Sequence, residues 1–165
     1  MIIFSNYFWS RVSIDHTCLS LANTPTMYYF SIISSDDTPL YELEFASFKL
    51  AGGVGQFPEN VRELLPFIAN SLLDLVEELQ WSLPQFYLGK VDLFSGYLVA
   101  AYITQGNVRL VLVYDKSDEG LIRQFFIEVN ELYVKCLMSP FYVVNVPLTL
   151  PEFDMKVKQV GRKYL

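Results

Sequence analysis

Three apolar runs crowded between residues 86 and 115 constrain this chain more than anything else in it. FYLGKVD (86–92), YLVAAYIT (97–104) and VRLVLVYD (108–115) are rich in β-branched and aromatic residues, and only a few residues separate each from the next. A parallel pair needs a crossover of roughly a dozen residues or more, so links this short force antiparallel neighbours. Gly106-Asn107 supplies a hairpin turn between the last two runs. Whatever else the chain does, it builds a sheet of adjacent antiparallel strands.

A second pair of strands comes earlier. MYYFSIIS (27–34) ends in the turn cluster Ser35-Asp36-Asp37-Thr38-Pro39, and LYELEF (40–45) follows with strict alternation. Leu40, Glu42 and Glu44 fall on one side and Tyr41, Leu43 and Phe45 on the other, the pattern of a half-buried strand. The Gly-rich AGGVGQ (51–56) reads as a loop. Pro66 then opens a helix predicted to run to about Gln80, with Ile68, Leu72, Leu75, Val76 and Leu79 on one face. A second helix is predicted over 119–138, with Ile122, Phe125, Phe126, Val129, Tyr133, Cys136 and Leu137 on its apolar side. Pro140 and Pro147 bracket an extended connection, and Pro151 starts a last helix lined by Phe153, Val157, Val160 and Tyr164. The order β-β-α-β-β-β-α-α predicts an α+β domain, helices packed on an antiparallel sheet.

Composition narrows the function classes. Apolar residues make up 52% of the 165 and charged residues 18%, an excess that points to a packed core and to surface covered by a partner. No apolar run approaches the ~20 residues a membrane-spanning helix needs. Residues 27–92 hold ten acids and three bases (Lys49, Arg62, Lys90), an acidic body that excludes nucleic acid as a partner because phosphate contacts need clustered bases. Lys156, Lys158, Arg162 and Lys163 near the end read as the solvated face of the last helix. Cys18 and Cys136 are far apart and form no C-x-x-C motif, which places the chain in a reducing compartment.

No catalytic constellation emerges. The single histidine, His16, lies inside the atypical N-terminal segment, and one histidine with two cysteines far apart from each other cannot build a zinc site. AGGVGQ lacks the Lys-Ser/Thr of a phosphate loop and the strand–loop–helix context of a dinucleotide fingerprint. Asp36-Asp37 belongs to a turn, and Glu77-Glu78 to a solvated helix face. Asp74 stands out: read as mid-helix, with Glu77 and Glu78 three and four residues on, it is mildly destabilising there, a setting that a basic partner surface would relieve, though the residues by themselves read first as ordinary surface charge. The chain is expected to be no enzyme, with no metal and no cofactor.

Residues 1–26, MIIFSNYFWSRVSIDHTCLSLANTPT, lack the pattern of a secretory signal, since no base opens the segment and Arg11, Asp15 and His16 interrupt its apolar residues; a single Arg is thin support for the alternative of a transit peptide. They are expected to be an extension, disordered or an artefact upstream of a true start at Met27, with the folded domain covering 27–165.

Six stretches carry a resemblance across that domain: YYFSIIS, PLYELEF, FPENVRELLPFIANSLLDLVEELQW, YLGKVDLFSGYLVAAYIT, FFIEVNELYVKCLMSPFY and PEFDMKVKQVGRKYL. In this order, with little insertion, they resemble the sedlin family, small subunits of the transport protein particle (TRAPP) tethering complexes. The resemblance implies a longin-like fold, a five-stranded antiparallel sheet with one helix on one face and two on the other. It implies a non-catalytic adaptor subunit in vesicle transport between endoplasmic reticulum and Golgi. Such a subunit links core and larger complex-specific subunits of an assembly that exchanges nucleotide on a Rab-type GTPase. Its partners would be other TRAPP subunits, with the Rab met only through the complex. It would be cytoplasmic and peripheral at endoplasmic reticulum and cis-Golgi membranes, again through the complex.

By position, Asp74 matches an aspartate of the family's first helix associated with partner attachment. Phe141 and Tyr142 in MSPFY, and Phe153 and Asp154 in PEFD, match family positions whose role is either partner contact or packing of the last helix. The family often carries a base in the connection before that helix; this chain has Thr149 and lacks that charge. Two other readings compete. Another longin-like trafficking module, an adaptor-complex small chain or a SNARE regulatory domain, would share the fold, though a SNARE needs a heptad helix and an anchor after Leu165. A domain binding a small molecule or lipid would need polar anchors that the pattern does not supply.

Overall fold

The computed structural model describes residues 25–165. The expectation for the N-terminal extension, with His16 and Cys18, therefore lies outside the described residues up to position 24. One residue before Met27, the Thr26 carbonyl accepts the Ser47 N–H at 2.7 Å.

Each strand falls where its periodicity puts it: β1 Met27–Ile33, β2 Pro39–Ala46, β3 Tyr87–Phe94, β4 Tyr97–Ile103 and β5 Arg109–Tyr114. They make one sheet in the order β2-β1-β5-β4-β3, every pair antiparallel. The central strands are buried on both faces and so read as nearly continuous apolar runs. Tyr28, Phe30, Ile32, Leu110, Leu112 and Tyr114 join one core; Tyr29, Ile33, Val111 and Val113 join the other. Asn107, at φ 59°, turns the β4–β5 hairpin, as an Asn tolerates.

The helices are α1 Phe48–Ala51, α2 Glu59–Arg62, α3 Leu65–Ser71, α4 Leu73–Ser82, α5 Glu119–Leu137 and α6 Pro151–Tyr164. α3 and α4 cover one face of the sheet, and α5 and α6 cover the other. With α3–α4 counted as one broken helix, this is the one-and-two arrangement of a longin-like fold. α1 and α2 were invisible in the sequence because single turns carry no periodicity.

The helix expected over 66–80 is interrupted at Leu72. The Ser71 hydroxyl donates to the Ile68 carbonyl at 3.0 Å, and the Leu72 N–H reaches the same carbonyl at a stretched 3.3 Å. A serine that bonds back in this way competes with the helix ladder and bends it. α5 starts conventionally, the Asp118 carboxylate accepting the Gly120 N–H at 2.7 Å as its N-cap. α6 has Pro151 in its first turn with Glu152 and Asp154, and Arg162 and Lys163 in its last, charges that complement the helix dipole.

β2 departs from simple alternation. Leu40, expected beside Glu42 and Glu44 on a polar side, is buried. A register irregularity at Ile32/Ile33, opposite Pro39, turns it inward, and its carbonyl accepts the Leu148 N–H at 2.7 Å. The connection before α6 thus covers part of this edge strand, one of the ways proteins protect an edge. The two glutamates are not simply solvated: Glu42 accepts the Tyr29 hydroxyl at 2.6 Å, and Glu44 accepts the Phe57 N–H at 2.6 Å and Arg62 Nε at 2.9 Å.

Docking of α6 depends on carboxylates. Burial would raise the Asp154 carboxyl, but hydrogen bonds from Lys158 (2.7 Å) and Tyr41 (2.8 Å) outweigh it and leave the group below its ordinary 3.8. Hydrogen bonds from Lys163 and Tyr164 hold Glu128 of α5 below its ordinary 4.5. A carboxylate with a lowered folded value stabilises the fold above its unfolded value and loses that contribution as pH falls through the folded one. Urea midpoints should therefore fall more for the wild type than for an Asp154→Asn/Glu128→Gln variant between about pH 5 and about pH 3. Equal falls would show that these pairs contribute nothing in solution.

Candidate partner interfaces

Among the described residues, no group of three or more His, Cys, Asp or Glu could hold a metal ion. Buried tyrosines shift upward, first through desolvation: Tyr29 next to Glu42, Tyr41 next to Asp154 and Tyr133 next to Tyr142. All three are buried residues whose hydroxyls are hydrogen-bonded within the domain. No described helix is long and apolar enough to cross a membrane. A groove of about 370 Å³ opens between the β4–β5 hairpin and α5, lined by Phe86, Tyr102, Asn130 and Tyr133 among others, without a charged group to orient a ligand. What the surface does offer is apolar side chains held out in water.

The first such surface is on α3–α4. Leu65, Ile68, Ala69, Leu72, Leu73 and Val76 point to the sheet, so the opposite face is presented to solvent. It carries Phe67 at 65% exposure, Trp81 at 83%, and the exposed acids Asp74, Glu77 and Glu78. Because the helix breaks at Leu72, Asp74 lies in the first turn of α4, where a negative charge suits the helix dipole. It is not the mid-helix residue its sequence position suggested, so local strain does not account for it.

The second surface is the α5–α6 connection. Phe141 is 91% exposed, and Met138, Val143, Val144, Val146 and Leu150 are exposed with it. The polar members and one leucine anchor the segment: Tyr142 and Tyr133 hydroxyls meet at 3.3 Å, Asn145 donates to Asp36, and Leu148 is buried. A loop pinned at Tyr142, Asn145 and Leu148 that holds Phe141, Val143, Val144 and Val146 out in water has the surface pattern of an interface.

The remaining candidates separate cleanly. Phe153, 2% exposed, packs edge-on against Tyr41 with ring centroids 5.2 Å apart. Asp154 accepts the Tyr41 hydroxyl and Lys158. Both seat α6 on β2. Phe141 and Tyr142 share the α5–α6 connection, while Asp74 lies on the far side of the sheet from them. Phe67 and Trp81 escaped sequence reasoning, which followed only the apolar stripe facing the sheet. The available signal was that Phe67 and Trp81 are large apolar residues off the buried stripe, on the side that also carries Asp74.

Comparison with known proteins now decides the family. The sedlin family model matches residues 32–163. The chain belongs to the sedlin family. This sedlin-family chain is 35% identical to the trafficking protein particle complex subunit 20 of Saccharomyces cerevisiae, the alignment covering 83% of this chain and 97% of the relative. It is 39% identical to the transport protein particle 20 kDa subunit of Schizosaccharomyces pombe, covering 83% and 98%. It is 40% identical to the probable trafficking protein particle complex subunit 2 of Drosophila melanogaster, covering 84% and 96%. The longin-like sheet with helices on both faces is the fold that membership implies.

Proposed function

We propose that this sedlin-family chain is a non-catalytic adaptor subunit of a TRAPP complex, acting in vesicle tethering between endoplasmic reticulum and Golgi. The observation that carries the reading is its similarity, over nearly the full length of each relative, to proteins named as subunits of that complex. The geometry supports an adaptor in particular. Two solvent-facing apolar surfaces lie on opposite sides of one sheet, so two partners can be held at once without competing for the same residues. Asp74 marks one surface and Phe141 and Tyr142 the other, while Phe153 and Asp154 seat α6 on β2.

In this reading the protein is cytoplasmic and reaches endoplasmic reticulum and cis-Golgi membranes only through its partners. Its part in Rab nucleotide exchange is to join the core to larger complex-specific subunits. Affinity purification of the tagged full chain from its own cells, followed by identification of the recovered proteins, should return TRAPP subunits as the main partners. Recovery of adaptor-complex or SNARE components without TRAPP subunits would replace this reading with another longin-like trafficking role.

A further inference from the structure

The exposed face of α3–α4 differs electrostatically from every other helix surface of the domain. From Glu63 to Gly89 the chain contains no lysine or arginine, yet Glu63, Asp74, Glu77 and Glu78 are exposed there. None of the ion pairs among the described residues uses these four acids. α6 is the contrast: its Glu152 and Asp154 are each paired with a lysine one turn later, at 2.6 and 2.7 Å. The acids of α6 are balanced within the domain, and those of α3–α4 await balance from outside.

Two aromatic side chains stand on the same face. Phe67 in α3 and Asp74 and Trp81 in α4 are all exposed on the side away from the sheet, spread over about 20 Å of the two helices at a rise of about 1.5 Å per residue. Large exposed aromatics are the residue types that anchor protein interfaces, and water-exposed acids around them select a partner by charge and speed its encounter.

We propose that the α3–α4 face receives a basic, amphipathic helical segment of a TRAPP partner, whose apolar side chains contact Phe67 and Trp81 while its lysines or arginines meet Asp74, Glu77 and Glu78. The inference rests on the adaptor reading and specifies the chemistry of one of its two partners. A neutral apolar partner would leave three carboxylates desolvated and unpaired at the contact, which is costly. An acidic partner is repelled. A basic helix of about four turns matches the span and compensates the charge in one step.

Site-specific photocrosslinking in the assembled complex tests this. p-Benzoylphenylalanine replaces Phe67 in one sample and Trp81 in another, with replacement of Val143 on the opposite side of the domain as control. Both α3–α4 probes should capture one partner segment of net positive charge, and the Val143 probe a different peptide. Asp74→Lys with Glu78→Lys should cut association with that partner roughly tenfold or more, and a compensating Lys→Glu or Arg→Glu change in the captured segment should restore it. Capture of a neutral or acidic segment, or no capture from either position in an assembled complex, overturns the inference and leaves TRAPP membership standing. Absence of TRAPP subunits from the purified complex would instead overturn the adaptor reading.

Discussion

Replacing Phe153 by alanine is expected to destabilise the isolated domain by about 3–5 kcal/mol, the range for a buried phenylalanine. Phe141→Ala should change stability by no more than about 0.5 kcal/mol. The two phenylalanines sit twelve residues apart, Phe141 directly after Pro140 and Phe153 two residues after Pro151. Their environments separate them. Phe153 is enclosed between α6 and Tyr41, whose hydroxyl also binds Asp154, so truncation opens a cavity and loosens the contact that seats the helix. Phe141 touches mainly solvent. Against a total stability of about 5–15 kcal/mol, the Phe153 loss is large and should lower the melting temperature by roughly 10 °C. Thermal denaturation of the two variants side by side is the check. Equal losses would mean that Phe141 packs in solution and is not available to a partner.

That distinction was not legible in the sequence. Burial of Phe153 depends on Tyr41, whose partner Asp154 lies 113 residues away along the chain, and no local pattern reports a contact at that range. The strands were legible because alternation and short turns are local signals. β1, β4 and β5 read as apolar on both sides for the physical reason that helices cover both faces of the sheet. The long α5 and α6 were legible for the same local reason, through their apolar stripes. The break at Leu72 was not, since Ile68, Leu72 and Val76 keep helical spacing straight through it and only the Ser71 hydroxyl disturbs the ladder. Leu40 misled because alternation assumes an unbroken register, and the β1–β2 pairing is irregular at that end.

Of the candidate site, Asp74 was visible but its setting was not. A pattern search tuned to the buried stripe of α3–α4 passes over Phe67 and Trp81, whose significance is that they are apolar on the wrong face. In the α5–α6 connection the sequence displayed Phe141, Tyr142, Val143, Val144 and Val146 as an apolar run. It could not show which of them would be turned out by the anchors at Tyr142, Asn145 and Leu148.

The second large effect concerns assembly. Asp74→Tyr removes an exposed charge from a helix surface that makes no ion pair within the described residues, so the fold should be unaffected. Phe141→Ser removes a side chain held in water and should be equally silent in the free domain. Each variant nevertheless alters the centre of a proposed interface, where a single anchor commonly carries 2 kcal/mol or more, a loss of roughly thirtyfold in affinity. Because the two surfaces lie on opposite sides of the sheet, the losses should fall on different partners.

The most direct measurement is quantitative mass spectrometry of the complexes purified through tagged wild-type, Asp74→Tyr and Phe141→Ser chains expressed at equal levels. An adaptor with two independent surfaces predicts that the wild type recovers TRAPP subunits on both sides, and that each variant loses a different subset while keeping the other. Unchanged recovery in both variants, or loss of the same subunits from both, would contradict it.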